Sequence, residues 1–213
     1  MNNNLYLVNF RFMDAHRYFL LNKPYKMVSQ FISTHQVALL GELKFVFPEG
    51  THAIGRLDNN SEGLLLLTTD KKITRLLFQG KVPHTRTYLV QVKNRVSEES
   101  LKQLKAGACI RIKGGVNYIT TPCDVMIVEK PENLFSSGYE LREDVPCTWL
   151  RITLTEGKYH QVRKMVASVH HRCKRLIRVS IEDIHLGDMQ PGEVREIGEE
   201  DFFRQLRLGE CRS

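Results

Sequence analysis

Hydrophobic positions along this chain switch repeatedly between a two-residue and a 3.6-residue period, and the switches predict a series of short strands and helices. Residues 17–21 read as a strand that Asn22-Lys23-Pro24 stops, and 52–57 and 63–68 as two more, joined by the polar loop Asp58-Asn59-Asn60-Ser61-Glu62. Asp70 is placed to cap a short helix with Ile73, Leu76 and Leu77 on one face and Gly80 as its stop. Residues 87–92 alternate, with Tyr88, Val90 and Val92 together. Ser97-Glu98-Glu99 then opens a helix whose apolar side is Leu101 and Leu104 and which Gly107 ends. Residues 123–128 look like a buried strand, and 149–154 alternate through Leu150, Ile152 and Leu154. Val162, Met165, Val166 and Val169 make 160–169 helical, and 174–181 is a strand with Ile177, Val179 and Ile181 inward. Glu199-Glu200-Asp201 forms the charged first turn of a last helix carrying Phe202 and Phe203.

The order β-α-β-β-α-β over approximately 86–182 is that of a ferredoxin-like unit. The predicted fold is α+β: a mixed, mostly antiparallel sheet in two subdomains, approximately 17–85 plus 183–213 and 86–182, with the active-site cleft between them. Residues 130–145, with Pro131 and Ser136-Ser137-Gly138, read as an excursion loop. The 213 residues suffice for a proper core, and 42% hydrophobic with 26% charged is ordinary for a soluble globular protein. No apolar run approaches the roughly 20 residues of a membrane span. Met1-Asn2-Asn3-Asn4 opens no basic-then-apolar leader, so a cytoplasmic protein is expected. Cys109, Cys123, Cys147, Cys173 and Cys211 lack C-x-x-C spacing and are expected to be free thiols packing mostly as small apolar groups.

Charge sharpens the picture. The net +7 lies entirely in one stretch: residues 157–181 hold Lys158, Arg163, Lys164, Arg172, Lys174, Arg175 and Arg178 and no acid, leaving 24 basic and 24 acidic residues elsewhere. Interleaved Tyr159, Val162, Met165, Leu176 and Ile177 require this stretch to fold, so it is a positioned cationic surface suited to a phosphate backbone. The eight histidines form no metal spacing; His170-His171 are adjacent and lie among cations.

The segment Gly55-Arg56-Leu57-Asp58-Asn59-Asn60-Ser61-Glu62-Gly63-Leu64-Leu65-Leu66-Leu67-Thr68 is the most distinctive. As a bare hairpin loop, its Asp, Asn and Gly would serve only the turn. As a calcium loop it fails, because position twelve is Thr69 instead of a bidentate Glu and a strand follows where a helix should begin. It resembles the catalytic motif of the RsuA-type pseudouridine synthases. Leu21-Asn22-Lys23-Pro24, Arg86-Thr87-Tyr88-Leu89-Val90 and Trp149 to Gly157 followed by Gln161-Val162-Arg163-Lys164-Met165 are similar to that family's other motifs. Ser61-Glu62, Ser29-Gln30-Phe31 and the lack of an S4 domain look most like its RluE branch, which acts on 23S rRNA. Arg86 stands where the family usually has Lys, Lys164 where it has Arg, and Lys158-Tyr159-His160 replaces a stretch richer in Arg and Asn.

The resemblance implies a stand-alone isomerase that breaks N1–C1′ of a uridine, turns the base and rejoins it through C5, without metal or cofactor. It makes Asp58 the catalytic carboxylate, either attacking C1′ or removing the 2′ proton. Tyr88 is implied at the uracil, although it also shares a face with Val90 and Val92. Arg163, at the rim of its helix's apolar face, is the candidate cation holding Asp58 ionised. Arg56 is either a wedge replacing the flipped base or a tie for the loop. Lys23, Pro24, Gly55, Leu57 and Gly63 are expected to be structural, and Lys158, Lys164, Arg172, Lys174, Arg175 and Arg178 to grip RNA. The implied partner is ribosomal RNA, with the protein a monomer; the rival is a non-catalytic RNA-binding assembly protein.

Overall fold

The structure is a computed structural model that describes residues 16–79, 83–137 and 145–208. Its strands are β1 (Tyr18–Lys23), β2 (His52–Ile54), β3 (Glu62–Thr68), β4 (Arg86–Lys93), β5 (Cys109–Arg111), β6 (Asn117–Ile119), β7 (Asp124–Val128), β8 (Cys147–Leu154), β9 (Cys173–Ile181), β10 (Ile184–His185) and β11 (Val194–Ile197). Its helices are α1 (Ile73–Gln79), α2 (Glu98–Ala106), α3 (Gln161–Ser168) and α4 (Glu199–Gln205). The expected stop at Gly80, the thiol of Cys211 and part of the 130–145 excursion lie outside the described residues.

Nine strands form one sheet in the order β11-β1-β3-β9-β4-β8-β7, with β2 beside β3 and β10 beside β9. The run β9-β4-β8-β7 is antiparallel throughout, with α2 between β4 and β7 and α3 between β8 and β9 in the chain, which is the split βαβ arrangement. The two halves are not separate sheets. They join where β3 and β9 run parallel, pairing Glu62 with Ile177 and Gly63 with Arg178. Gly63 permits the junction: its φ is 98°, and a Cβ there would lie 2.4 Å from the Arg178 carbonyl oxygen.

The apolar faces follow the sequence periods. Val90, Val92, Leu150, Ile152 and Leu154 pack under Leu101 and Leu104 of α2 and Val162, Met165 and Val166 of α3. On the opposite face Ile177, Ile181, Leu64 and Leu66 meet Ile73 and Leu77 of α1 and Phe202 of α4. Because β9 is central, it is buried on both faces: Arg178 and Ser180, expected outward, and Arg175, expected to grip RNA, are buried, while Val179, expected inward, is only half-buried.

Other differences have local causes. The strand expected to be buried, now β7, is a sheet edge, and only Val125 on it is buried. The β5–β6 hairpin was invisible in the sequence: it has three residues per strand and alternates too briefly to register. Leu76 is half exposed, so α1 buries only Ile73 and Leu77. Cys109 is exposed and Cys123, Cys147 and Cys173 half-buried; these four are free thiols. Among the described residues, no helix is long and apolar enough to cross a membrane.

Candidate active site

An open cleft of about 1270 Å³ lies between the β2–β3 loop and the face formed by β4, β9 and the β8–α3 turn. The loop is fixed from below. Ser29 is buried, its hydroxyl donates to the Leu57 carbonyl (3.1 Å), and the Leu57 amide donates back to it (3.0 Å). Lys23 is fully buried beneath, donating to the carbonyls of Pro24 (2.9 Å) and Met27 (2.6 Å). Burial pushes its ammonium down to about 8, while Glu62 and Asp58 pull the other way. Gly55 has φ 73°, and a Cβ there would sit 2.7 Å from the Phe78 ring, so the loop can start only from glycine. Leu57 is buried against Met27 and Leu65, which orients the next residue, Asp58, into the cleft.

Asp58 keeps 28% of its side chain exposed. The basic side chain beside it is His160, whose Nε2 lies 3.5 Å from Oδ1 and pairs with it when the imidazole is protonated, and not the expected Arg163. Arg163 instead donates to the Asn60 carbonyl (2.7 Å) and the Ser61 hydroxyl (3.3 Å), clamping the loop's far side. The loop itself explains the difference: Ser61 N–H bonds back to the Asp58 carbonyl at 3.0 Å, a tight turn that presents the Asn60 carbonyl to α3. Sequence reasoning missed His160 because it looked only at helical spacing. His160 precedes α3, as its N-cap in the left-handed conformation (φ 55°).

Glu156 and Gln161 shape the turn that carries His160. Glu156 accepts from Tyr118 (2.6 Å), the Thr121 amide (3.0 Å) and Gln161 (2.7 Å), while Gln161 accepts from the Lys158 amide (2.7 Å). Burial favours the protonated acid, but these hydrogen bonds outweigh it and hold the Glu156 carboxyl below its usual range.

Tyr88 stands on the opposite wall, half-buried, with Arg86 and Arg178 also lining the cleft. Arg56 is exposed at the mouth, as is Lys158, lying over the Tyr118 ring at 4.7 Å; Arg172 is exposed away from the cleft lining, where its carbonyl accepts from the Lys93 amide at the far end of β4, and Lys174 is half-buried. Three of the expected RNA-gripping residues are otherwise engaged. Arg175 is 5% exposed and ion-paired to Glu62 at 2.9 Å, with the Phe135 carbonyl as a further acceptor at 2.8 Å. Arg178 is buried at the cleft floor. Lys164 donates to the Arg111 carbonyl at 2.6 Å and lies over the Tyr159 ring. The basic stretch is therefore half fold and half surface, because β9 runs through the middle of the sheet.

Residues 17–168 match the family model described as RNA pseudouridylate synthase. The chain is 37% identical over 179 residues to ribosomal large subunit pseudouridine synthase E of Vibrio parahaemolyticus, covering 84% of this chain and 72% of that protein. It is 30% identical over 187 residues to ribosomal small subunit pseudouridine synthase A of Escherichia coli, covering 87% of this chain and 72% of that protein. A crystal structure of a pseudouridylate synthase superposes with a TM-score of 0.73 at 26% identity, covering 91% of this chain and 75% of that one. The chain belongs to the RNA pseudouridylate synthase family, isomerases that convert uridine to pseudouridine in RNA.

Proposed function

We propose that this protein isomerises one uridine of 23S ribosomal RNA, working as a monomer in the cytoplasm, with Asp58 as its catalytic carboxylate. The observation that carries the reading is the placement of Asp58. Among the family's motif residues it is the acid held on a clamped loop, partly open to solvent, facing a cleft large enough for an extruded nucleotide and walled by Tyr88. Large-subunit RNA is favoured because several similar proteins, at 35–38% identity, are named ribosomal large subunit pseudouridine synthase E.

In this reading the uridine leaves its stack, and Arg56 at the mouth occupies the vacated space. Tyr88 lies against the uracil. Asp58, beside His160, either bonds to C1′ or takes the 2′ proton as N1–C1′ breaks. Lys158 at the rim and Arg172 farther along the exposed surface hold phosphates.

The test is Asp58→Asn. Its carboxylate has one ion-pair partner and no structural hydrogen bond among the described residues, so the variant should fold and bind RNA as the wild type does. It should lose carbodiimide-detectable pseudouridine by at least about 10³-fold. Full activity in the variant would end the assignment. RNA binding without any modification by the wild type would favour the non-catalytic assembly protein.

A further inference from the structure

The floor of the cleft holds two positive charges that no nearby acid neutralises. Arg178 is 3% exposed; its Nε donates to the Leu64 carbonyl at 2.7 Å and its guanidinium also hydrogen-bonds the Tyr88 side chain, while Nη2 is buried with no partner, and no carboxylate faces it, among the described residues. Arg86 is likewise buried and lies over the Phe78 ring at 4.8 Å. Neither pairs with a carboxylate among the described residues. Glu182 acts on Arg86 at longer range, but it is engaged by His84 at 3.3 Å and Arg207 at 3.5 Å. Buried charges are ordinarily paired, so an unpaired guanidinium in a cleft wall calls for an anion from outside.

The sheet brings these groups together. Arg86 and Tyr88 are two apart on β4 and share a face. Across from them Ser180 pairs with Thr87 and Arg178 with Tyr88, so Val179 is an extra residue, and this bulge turns Arg178 onto the Tyr88 face. Leu154, Val162, Leu176 and Phe78 make the surrounding walls apolar. Burial pushes both guanidinium groups below their ordinary values, with Tyr88 pulling the other way in each case.

We propose that Arg178, supported by Arg86, holds the negative charge that the uracil ring carries while it is detached from the ribose. The inference rests on the function proposed above. When N1–C1′ breaks, its electron pair stays on N1 and spreads to the two carbonyl oxygens. Asp58 compensates C1′ by bonding to it or by taking the 2′ proton. The ring turns and C5 supplies the pair that re-forms the bond to C1′ as the Asp58–C1′ bond breaks or Asp58 returns the proton to C2′; the C5 proton then leaves and N1 gains one, so composition is unchanged and Asp58 is regenerated as the carboxylate. The uracil anion exists only during this interval. A donor that strengthens with it stabilises the transition state and not the bound substrate. The planar, delocalised anion suits the edge of a guanidinium. A phosphate suits the floor less well, since it would lose its hydration between apolar walls while exposed cations wait at the rim.

The experiment compares single-turnover loss of the target nucleotide in RNA carrying either uridine or 5-fluorouridine there. The fluorinated base is the better leaving group and has no C5 proton, so the readout follows glycosidic cleavage and rejoining alone. Arg178→Met should slow the reaction of uridine by about 10²–10³-fold but that of 5-fluorouridine far less, and Arg86→Gln should show the same trend with smaller losses. Arg178→Lys, which keeps the charge, should fall between wild type and Arg178→Met. If Arg178→Met fails to fold by circular dichroism, Arg86→Gln and Arg178→Lys decide the matter, since the Arg86 side chain makes no hydrogen bond among the described residues. Equal losses on both nucleotides, or losses confined to RNA affinity, overturn the proposal. A wild type that forms no pseudouridine would instead overturn the function on which it rests.

Discussion

The two walls of the cleft are built on opposite principles. The Asp58 wall is a loop that exposes its acid and is held by bonds to backbone: Ser29 to Leu57, Arg163 to Asn60, and Lys23 beneath. The Tyr88 wall is a sheet face that buries its cations and is held by strand register. A loop clamped by backbone contacts can be loosened without unfolding the protein, whereas a charge inside a sheet cannot be altered without disturbing the sheet. Loosening the loop clamps at Ser29 or Arg163 should therefore move kinetics more than stability, whereas variants inside the sheet should disturb stability along with whatever they do to the reaction.

The largest break in that comparison is expected at Glu62–Arg175. Both side chains are buried, and the pair ties β3 to β9 beside the junction that carries both walls. Glu62→Gln leaves Arg175 charged with only the Phe135 carbonyl, and should cost about 3–5 kcal/mol in denaturant unfolding. Replacing both members with apolar residues of similar size should recover most of that loss. If Glu62→Gln unfolds at the wild-type midpoint, the sheet side is not held as described.

Lys23 sharpens the comparison through pH. Its folded value of about 8 lies below the unfolded one, so between pH 8 and 10.5 the unfolded chain holds the proton that the folded chain has released. Stability from this group therefore rises with pH across that window and is lost as pH falls through 8. The advantage of wild type over Lys23→Met should widen by up to about 3 kcal/mol from pH 7.5 to 10.5. A gap that stays constant with pH would mean that Lys23 is not buried as a charge.

What was legible in the sequence divides along the same line. The Asp58 loop could be read because its residues are consecutive: the turn, the glycines and the acid all fall within one motif. The ferredoxin-like order could be read because each element announces its own period. The cleft floor could not, because Arg178 meets Tyr88 through a bulge and Arg175 meets Glu62 across the junction, and neither pairing leaves a mark in local spacing. Counting cations in residues 157–181 could not say that Arg175 and Arg178 lie inside while Lys158 and Arg172 lie outside. His160 carries no local signal of its role; only the left-handed turn before α3 brings it to Asp58.

Ser29→Ala tests the loop side directly. The hydroxyl both donates to and accepts from Leu57, so its loss leaves a buried amide and carbonyl unpaired, costing about 1–3 kcal/mol. Much of that cost should appear as freedom of the loop, with kcat falling several-fold more than KM changes. A pure loss of stability with kcat intact would make Ser29 a core residue and not a loop clamp.

The smallest expected effect separates the exposed surface from the floor. Lys158 and Arg172 are exposed, so each phosphate either one neutralises releases counterions on binding. Lys158→Ala with Arg172→Ala should therefore flatten the plot of log affinity against log salt by about 1.4 to 1.8, while changing affinity at moderate salt only modestly. Arg175, although counted in the same basic stretch, already has its charge satisfied by Glu62 in the free protein and releases no counterion when RNA arrives. Arg175→Met paired with Glu62→Leu should leave the salt slope at the wild-type value. If that double variant flattens the slope as much as the exposed pair does, Arg175 must leave Glu62 to reach RNA, and the division between a gripping surface and a buried sheet would have to be redrawn.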